Sequence, residues 1–466
     1  MKNTLVSKRF IGFVALIVLF LFCFFRAPNP GLNWFLYACG AFALTFIVVE
    51  EHQYKSIIIP GLGLVLSGLA VFMHSDGLAV TMTLLSFGYL GVALVIPKVD
   101  PGFATIAGFG NFIISPFGVI IRFFQRLNTK NGKFKGLFTT LLIPGVLIGF
   151  FSLLYYESSP AFKDILNHIR IDHFPQFVGT ATLGLFAASV LLYCFAPQKL
   201  NSVYDNISNK SSAISEYMGN KKFLNSWLLG IWSVVVLLAF VITSDIIYQA
   251  SGRVAEGFNY SSYVHQGVYA SIVSIIASAI LTVLTTNYLG EERQKSFKLA
   301  NYIFIGLNAV FVWQNVLRNY SYVSEYGLTE KRLIIFIYLV LCLIGLALTI
   351  LTVVQNKSLG FLYKTNAFNV YTVLIVSALT NWSTFITDYN LTHPYGVEQR
   401  VDYDYLLSLD KSNTYLLSPH AVKMNEQQLS RLEWRENNVS NYNYNDVREW
   451  ELGKSRSKAR LNATKH

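Results

Sequence analysis

The feature that most constrains this chain is a succession of apolar runs, each close to twenty residues long, separated by short loops that carry its charges. A hydrocarbon core of about 30 Å takes about 20 apolar residues of helix to cross. Backbone in lipid must satisfy its own hydrogen bonds, so runs of this length are read as helices. Cutting the chain at charges, Pro and Gly gives eleven segments, near 10–26, 31–49, 56–73, 78–97, 137–156, 176–196, 224–249, 265–288, 298–317, 332–355 and 367–386. The expectation is an all-α integral membrane protein with about eleven transmembrane helices over residues 1–386, followed by a small, soluble, mainly helical segment over 387–466. Composition agrees: 14% of the 466 residues are charged, against about 25% in soluble domains.

Orientation follows from the basic residues, which favour cytoplasmic loops. They concentrate in alternate loops, above all 98–135, with Arg122, Arg126, Lys130 and Lys133, and 199–222. This sets the N-terminus in the cytoplasm and the C-terminal segment outside. It also explains the net charge of +11 as an orientation signal spread over loops, not a basic face for nucleic acid, which is not expected as a partner. Lys2, Lys8 and Arg9 before the run from Ile11 outline a signal peptide, but no small-residue cleavage site follows Phe25, so the run is read as an uncleaved first helix.

Residues 103–121 are apolar enough to span but are interrupted by Gly108, Gly110, Pro116 and Gly118. If they crossed, the basic cluster after them would lie outside. Residues 101–125 are therefore read as an interfacial or re-entrant cytoplasmic segment, with anionic lipids as partners of the loop 98–136. In the last eighty or so residues, Val401 to Leu409 and Glu426 to Glu436 are expected as short helices and Asn437 to Asn445 as a turn. The cysteines (Cys23, Cys39, Cys194 and Cys342) sit in apolar runs as small buried residues. Gly61, Gly63 and Gly68 let the third helix approach a neighbour closely.

Ionisable groups within hydrocarbon are costly and mark function when they occur. Most spans here carry none at their centres. Polar groups gather instead at the outer ends of the seventh to ninth helices: Asp245 on the seventh, His265 and Gln266 on the eighth, and Arg318 on the ninth, continuing into Tyr322, Glu325, Tyr326 and Arg332. If the ninth helix continues past Arg318, then Arg318, Tyr322 and Tyr326 share one stripe. One reading is a binding pocket in which Arg318 holds an anionic group. The other is interfacial anchoring, since Tyr, Trp and Arg belong at any headgroup boundary. Asp164, His168, Asp172 and His173 match no standard metal spacing, so neither a metal nor a cofactor is expected. The motifs GxxxxGK[ST], GxGxxG after a strand, HExxH and GxSxG are missing, which speaks against an enzyme of a familiar class.

Tyr263-Val264-His265-Gln266-Gly267-Val268-Tyr269, then Arg318, Tyr322, Tyr326-Gly327-Leu328-Thr329 and Arg332, resemble the bacterial membrane families known as domains of unknown function 4153 and 4173. Asp388-Tyr389-Asn390-Leu391 and Asp402-Tyr403-Asp404-Tyr405-Leu406-Leu407-Ser408-Leu409 look like the stretch after the last span in that group, and Trp434 and Trp450 lie in a similar aromatic tail. The resemblance covers residue 245 to the end, and it implies a bacterial inner-membrane location and no particular reaction. Three functional readings remain: a non-enzymatic protein whose outer face binds an anionic ligand or an envelope protein, for sensing or regulation; a transporter or flippase; and a membrane-embedded transferase with Asp245, Glu256 or His265 as base.

Overall fold

In the computed structural model every named element is a helix, and the described residues show one isolated extended pairing, between Tyr395 and Arg400. The structure describes residues 2–49, 54–111, 174–192, 291–355, 357–396, 400–443 and 446–464, with scattered positions between 228 and 275. In chain order the longer α-helices among the described residues are α1 (Lys2–Phe24), α2 (Leu32–Val48), α3 (Tyr54–His74), α4 (Gly77–Ala93), α5 (101–111), α6 (Phe174–Leu192), α7 (Glu291–Tyr326), α8 (Glu330–Val354), α9 (Leu359–Ala378), α10 (Trp382–Thr392), α11 (Tyr403–Ser408), α12 (Glu426–Ser440) and α13 (Leu452–Thr464). By length and composition α3, α7 and α8 can each cross a membrane, and α9 with α10 makes a fourth if that bent pair is one span. Shorter apolar helices occupy the places of α2, α4 and α6. Of the eleven expected spans, 137–156, 265–288 and most of 224–249 lie outside the described residues.

The chain divides into two compact units, one formed by Met1–Tyr204, Leu374–Thr380 and Asn437–His466, the other by Asp205–Val373 and Asn381–Glu436. In the first, small residues let the helices approach closely. A Cβ on Gly68 would lie 2.8 Å from that of Ala38 on α2. Tyr37 centres an aromatic cluster, with Phe20, Phe24 and Phe87 at 5.2, 5.6 and 5.9 Å. Asn33 closes the α1–α2 turn by donating to the carbonyls of Ala27 and Asn29, and Asp76 caps α4 by accepting from the Ala79 N–H. Helix α6 lies antiparallel to α1: Phe177, near its start, meets Phe25, and Leu192, at its end, faces Gly12. The chain thus leaves α4 at one end of this bundle and enters α6 at the other. Near the far end of α6, Asn111 of α5 donates to the Val190 carbonyl at 2.8 Å, and Gly108 rests on Gly88 of α4.

Residues 446–453 cover the opposite end of this unit. The Leu32 N–H donates to the Trp450 carbonyl at 2.9 Å and the Trp450 ring stands edge-on to Phe72. Glu449 accepts from both nitrogens of Asn29, and the buried Glu451 carboxylate accepts from Ser75 Oγ at 2.5 Å and Lys454 Nζ at 2.8 Å. Arg448 donates to the Phe22 carbonyl and pairs with Asp446, whose carboxyl it holds down to about 2.

In the second unit, α7 and α8 form a hairpin closed by Gly327-Leu328-Thr329. Gly327 has φ of 78°, and its N–H returns to the Val323 carbonyl at 2.7 Å, the left-handed cap that ends α7. Thr329 then caps α8 through the Arg332 N–H. A Cβ on Gly327 would lie 2.5 Å from the Tyr395 ring. Gly327→Ala is therefore expected to cost about 2 kcal/mol, from the left-handed backbone and the displaced ring, read as a lowered melting temperature of the purified protein.

Four expectations change. α7 runs well past both expected ends. α9 starts before residue 367 because its polar residues turn inward on the helix: Asn366 and Asn369 donate to the carbonyls of Leu362 and Thr365. The eleventh segment is broken, with α9 and α10 meeting at 70°. Asn381 sets the break, its Oδ1 accepting from the Thr384 N–H to start α10 while its Nδ2 donates to Ser412 Oγ. The expected helices appear as α11 and α12, but α12 continues to Ser440, into the stretch expected as a turn.

Candidate functional site

Helix α7 carries its amides on one buried stripe. Asn301, Asn308 and Asn315 recur every seven residues, Asn319 follows, and all are buried. That spacing keeps one face of a helix. On one side of the stripe Phe297, Phe304 and Phe311 pack on Ile231, Val235, Leu238 and Ile242; on the other, Ile305 and Val312 pack on Ile335, Leu339 and Leu346 of α8. Asn308 and Asn315 each donate to the carbonyl four residues back at 2.9 Å, and Gln314 donates to the Ile242 carbonyl at 3.0 Å. The side-chain oxygens of Asn308, Gln314 and Asn319 are buried and accept no hydrogen bond from the described residues. Each such oxygen costs about 1–3 kcal/mol unless water or a ligand supplies a donor.

Between Asn315 and Asn319 of this stripe sits Arg318, 7% exposed, with Nη1 donating to Asn315 Oδ1 at 3.2 Å. One turn on, three of the expected residues come together. The Arg332 guanidinium stacks 4.0 Å above the Tyr322 ring and 5.8 Å from that of Tyr326, and the two rings meet edge to face at 5.4 Å. Arg332 also donates to the carbonyls of Tyr326, at 2.8 Å, and Gly327, so its charge closes the C-terminus of α7. Glu325 is exposed and makes no ion pair among the described residues. Asp245, His265 and Gln266 lie outside the described residues, as do Asp164, His168, Asp172 and His173.

A folded cap covers the α7–α8 turn. The Asn390 amide accepts from the Leu328 N–H at 2.7 Å and donates to its carbonyl at 2.8 Å, the Tyr405 hydroxyl accepts from the Glu330 N–H, and the Gly396 N–H donates to the Ser324 carbonyl. Burial pushes the phenols of Tyr395 and Tyr405 up, so both stay neutral hydrogen-bonding groups. Val323, Leu328 and Ile386 share a core with Leu406, Leu407, Leu417 and Leu432 of the cap. Within it Arg435 donates to the carbonyls of Leu407, Leu409 and Asp410 and to Asn413.

Chemically, the site offers one buried guanidinium beside amide groups, a set that recognises an anion carrying further hydrogen-bonding groups. No group of three His, Cys, Asp or Glu residues suited to a metal occurs among the described residues. The amide stripe was not singled out in the sequence, although its seven-residue spacing within an apolar helix was there to be read. A family model described as Domain of unknown function (DUF4153) matches residues 13–417. No curated protein and no solved structure matches the chain.

Proposed function

The chain belongs to this family of domains of unknown function, and from that premise we propose that it is a multi-pass protein of the bacterial cytoplasmic membrane that binds an anionic ligand at its outer face, without catalysing a reaction on it. The observation that carries the reading is Arg318, 7% exposed in the last third of the long helix α7 and bonded to the Asn315 amide. A guanidinium is not kept there for solvation, and a planar fork suits phosphate or carboxylate.

Several features support the orientation. In the first unit 446–453 lie at the end that holds both the α1–α2 and α3–α4 turns, opposite the start of α1. If α1 to α4 cross the bilayer, the tail is on the face away from the N-terminus, in line with the basic residues of the cytoplasmic loops. A transporter or flippase is a second reading, favoured by the amide stripe, which from Asn301 to Asn319 extends for about 27 Å, comparable with a hydrocarbon core.

Thermal denaturation of the purified protein in detergent, with phosphate, acetate or phosphatidylglycerol added in turn, tests the site. At least one anion should raise the wild-type midpoint, and Arg318→Gln should abolish that rise. A shift that persists in Arg318→Gln, or no shift with any of the three, refutes the reading.

A further inference from the structure

A second feature concerns lipid, in the first unit. Helices α1 and α2 leave between them a groove of ≈ 820 Å³ whose lining is apolar throughout, with Ile11, Val14, Val18 and Phe22 along one wall and Gly40 and Ala43 in the other. From Phe10 to Phe22 it extends for about 18 Å, a little over half of a 30 Å hydrocarbon core. On the α2 wall Ala43 is small and exposed, beside Leu44, while Ile11 and Phe22 on α1 stand 58% and 61% exposed. Lys8 lies one turn before Ile11 on the same stripe of α1, exposed, with Arg9 beside it. An apolar trough thus ends at a cationic cluster.

We propose that this groove holds one acyl chain of an anionic phospholipid, with the phosphate at Lys8. The inference rests on the membrane reading above. The chain supplies apolar surface to an elongated recess with no polar partner to offer, and the headgroup supplies the negative charge that Lys8 and Arg9 attract at the cytoplasmic leaflet. A second copy of the protein fits less well. Two copies related by an axis along the membrane normal would meet through the same patch on each, bringing Lys8 against Lys8.

The test is photo-crosslinking of the full-length protein in membranes containing phosphatidylglycerol with a diazirine in its acyl chain, with adducts mapped by mass spectrometry. Adducts should concentrate on residues 10–22 and 40–44. Ala43→Trp, which fills the groove, should lower them by about fivefold, the equivalent of about 1 kcal/mol. Val18→Trp fills it from an exposed position on the other wall and should do the same if Ala43→Trp fails to fold. Lys8→Gln should reduce labelling by phosphatidylglycerol more than labelling by a phosphatidylcholine probe. Equal labelling of the exposed face of α8, insensitivity to both Trp variants, or adducts between two protein copies at these residues would overturn the inference alone. No adducts anywhere on the protein would overturn the membrane reading with it.

Discussion

Arg435→Met is expected to lower the stability of the cap by about 3–5 kcal/mol, as breaking a buried charged network does. The side chain is 3% exposed, and its guanidinium ties together the carbonyls of Leu407, Leu409 and Asp410, the Asn413 amide and the Thr414 hydroxyl. Burial pushes the guanidinium down to about 10, opposed by the nearby Asp410, so the group stays protonated at neutral pH. The charge is thus held against desolvation by these hydrogen bonds together with the nearby Asp410 carboxylate. Methionine fills similar volume but leaves several buried acceptors without donors, each costing about 1–3 kcal/mol. Arg435→Lys should recover only part of the loss, because one ammonium cannot reach acceptors spread around a planar fork. Limited proteolysis within 400–436 and the melting transition of the purified protein read the effect. Proteolysis and melting of Arg435→Met indistinguishable from wild type would show that the network contributes nothing net.

Arg435 also marks where the sequence stops being informative. Its acceptors are mostly main-chain carbonyls more than twenty residues away, and a carbonyl has no residue identity to read. In sequence it is one basic residue in an amphipathic helix. What was legible has a period or a composition: the apolar runs that became α1 to α4 and α6 to α8, the continuation of α7 that sets Tyr322 beside Tyr326, and the helices of the cap. The Asn stripe of α7 has a period too, but amides carry no charge, so nothing in composition sets them apart from a polar helix face. The break at Asn381 was not legible, since an Asn that caps a new helix and one that merely interrupts an apolar run look alike until Ser412 is placed beside it. Nor was the division of the C-terminal segment, read as one stretch over 387–466 and found to contribute 387–436 to one unit and 437–466 to the other. That division depends on contacts such as Trp450 with Leu32 and Glu451 with Ser75, hundreds of residues apart in the chain.

Gly453 allows two opposed physical effects to be weighed. It lies in the first turn of α13, where Gly→Ala by helix propensity alone would stabilise by about 1 kcal/mol. Its position forbids that gain. A Cβ there would sit 2.3 Å from the Met73 carbonyl oxygen and 3.5 Å from the His74 Cα at the end of α3, and main-chain atoms at a helix end cannot move aside as a side chain can. The clash is relieved only by lifting α13, which strains the neighbouring contacts: the Ser75 bond to Glu451, the Leu32 bond to the Trp450 carbonyl and the Trp450 ring on Phe72. Overpacking costs about 1–3 kcal/mol, and a weakened hydrogen bond to a buried carboxylate adds about 1.5–3 kcal/mol, so sterics outweigh propensity. Gly453→Ala is expected to lose about 3 kcal/mol net, with faster tryptic cleavage at Lys454 and Lys458. Gly453→Leu should be only slightly worse, because the first added carbon already makes the contact. A Gly453→Ala protein that melts above the wild type would mean that propensity governs this turn and that α13 is not seated on the Met73 carbonyl.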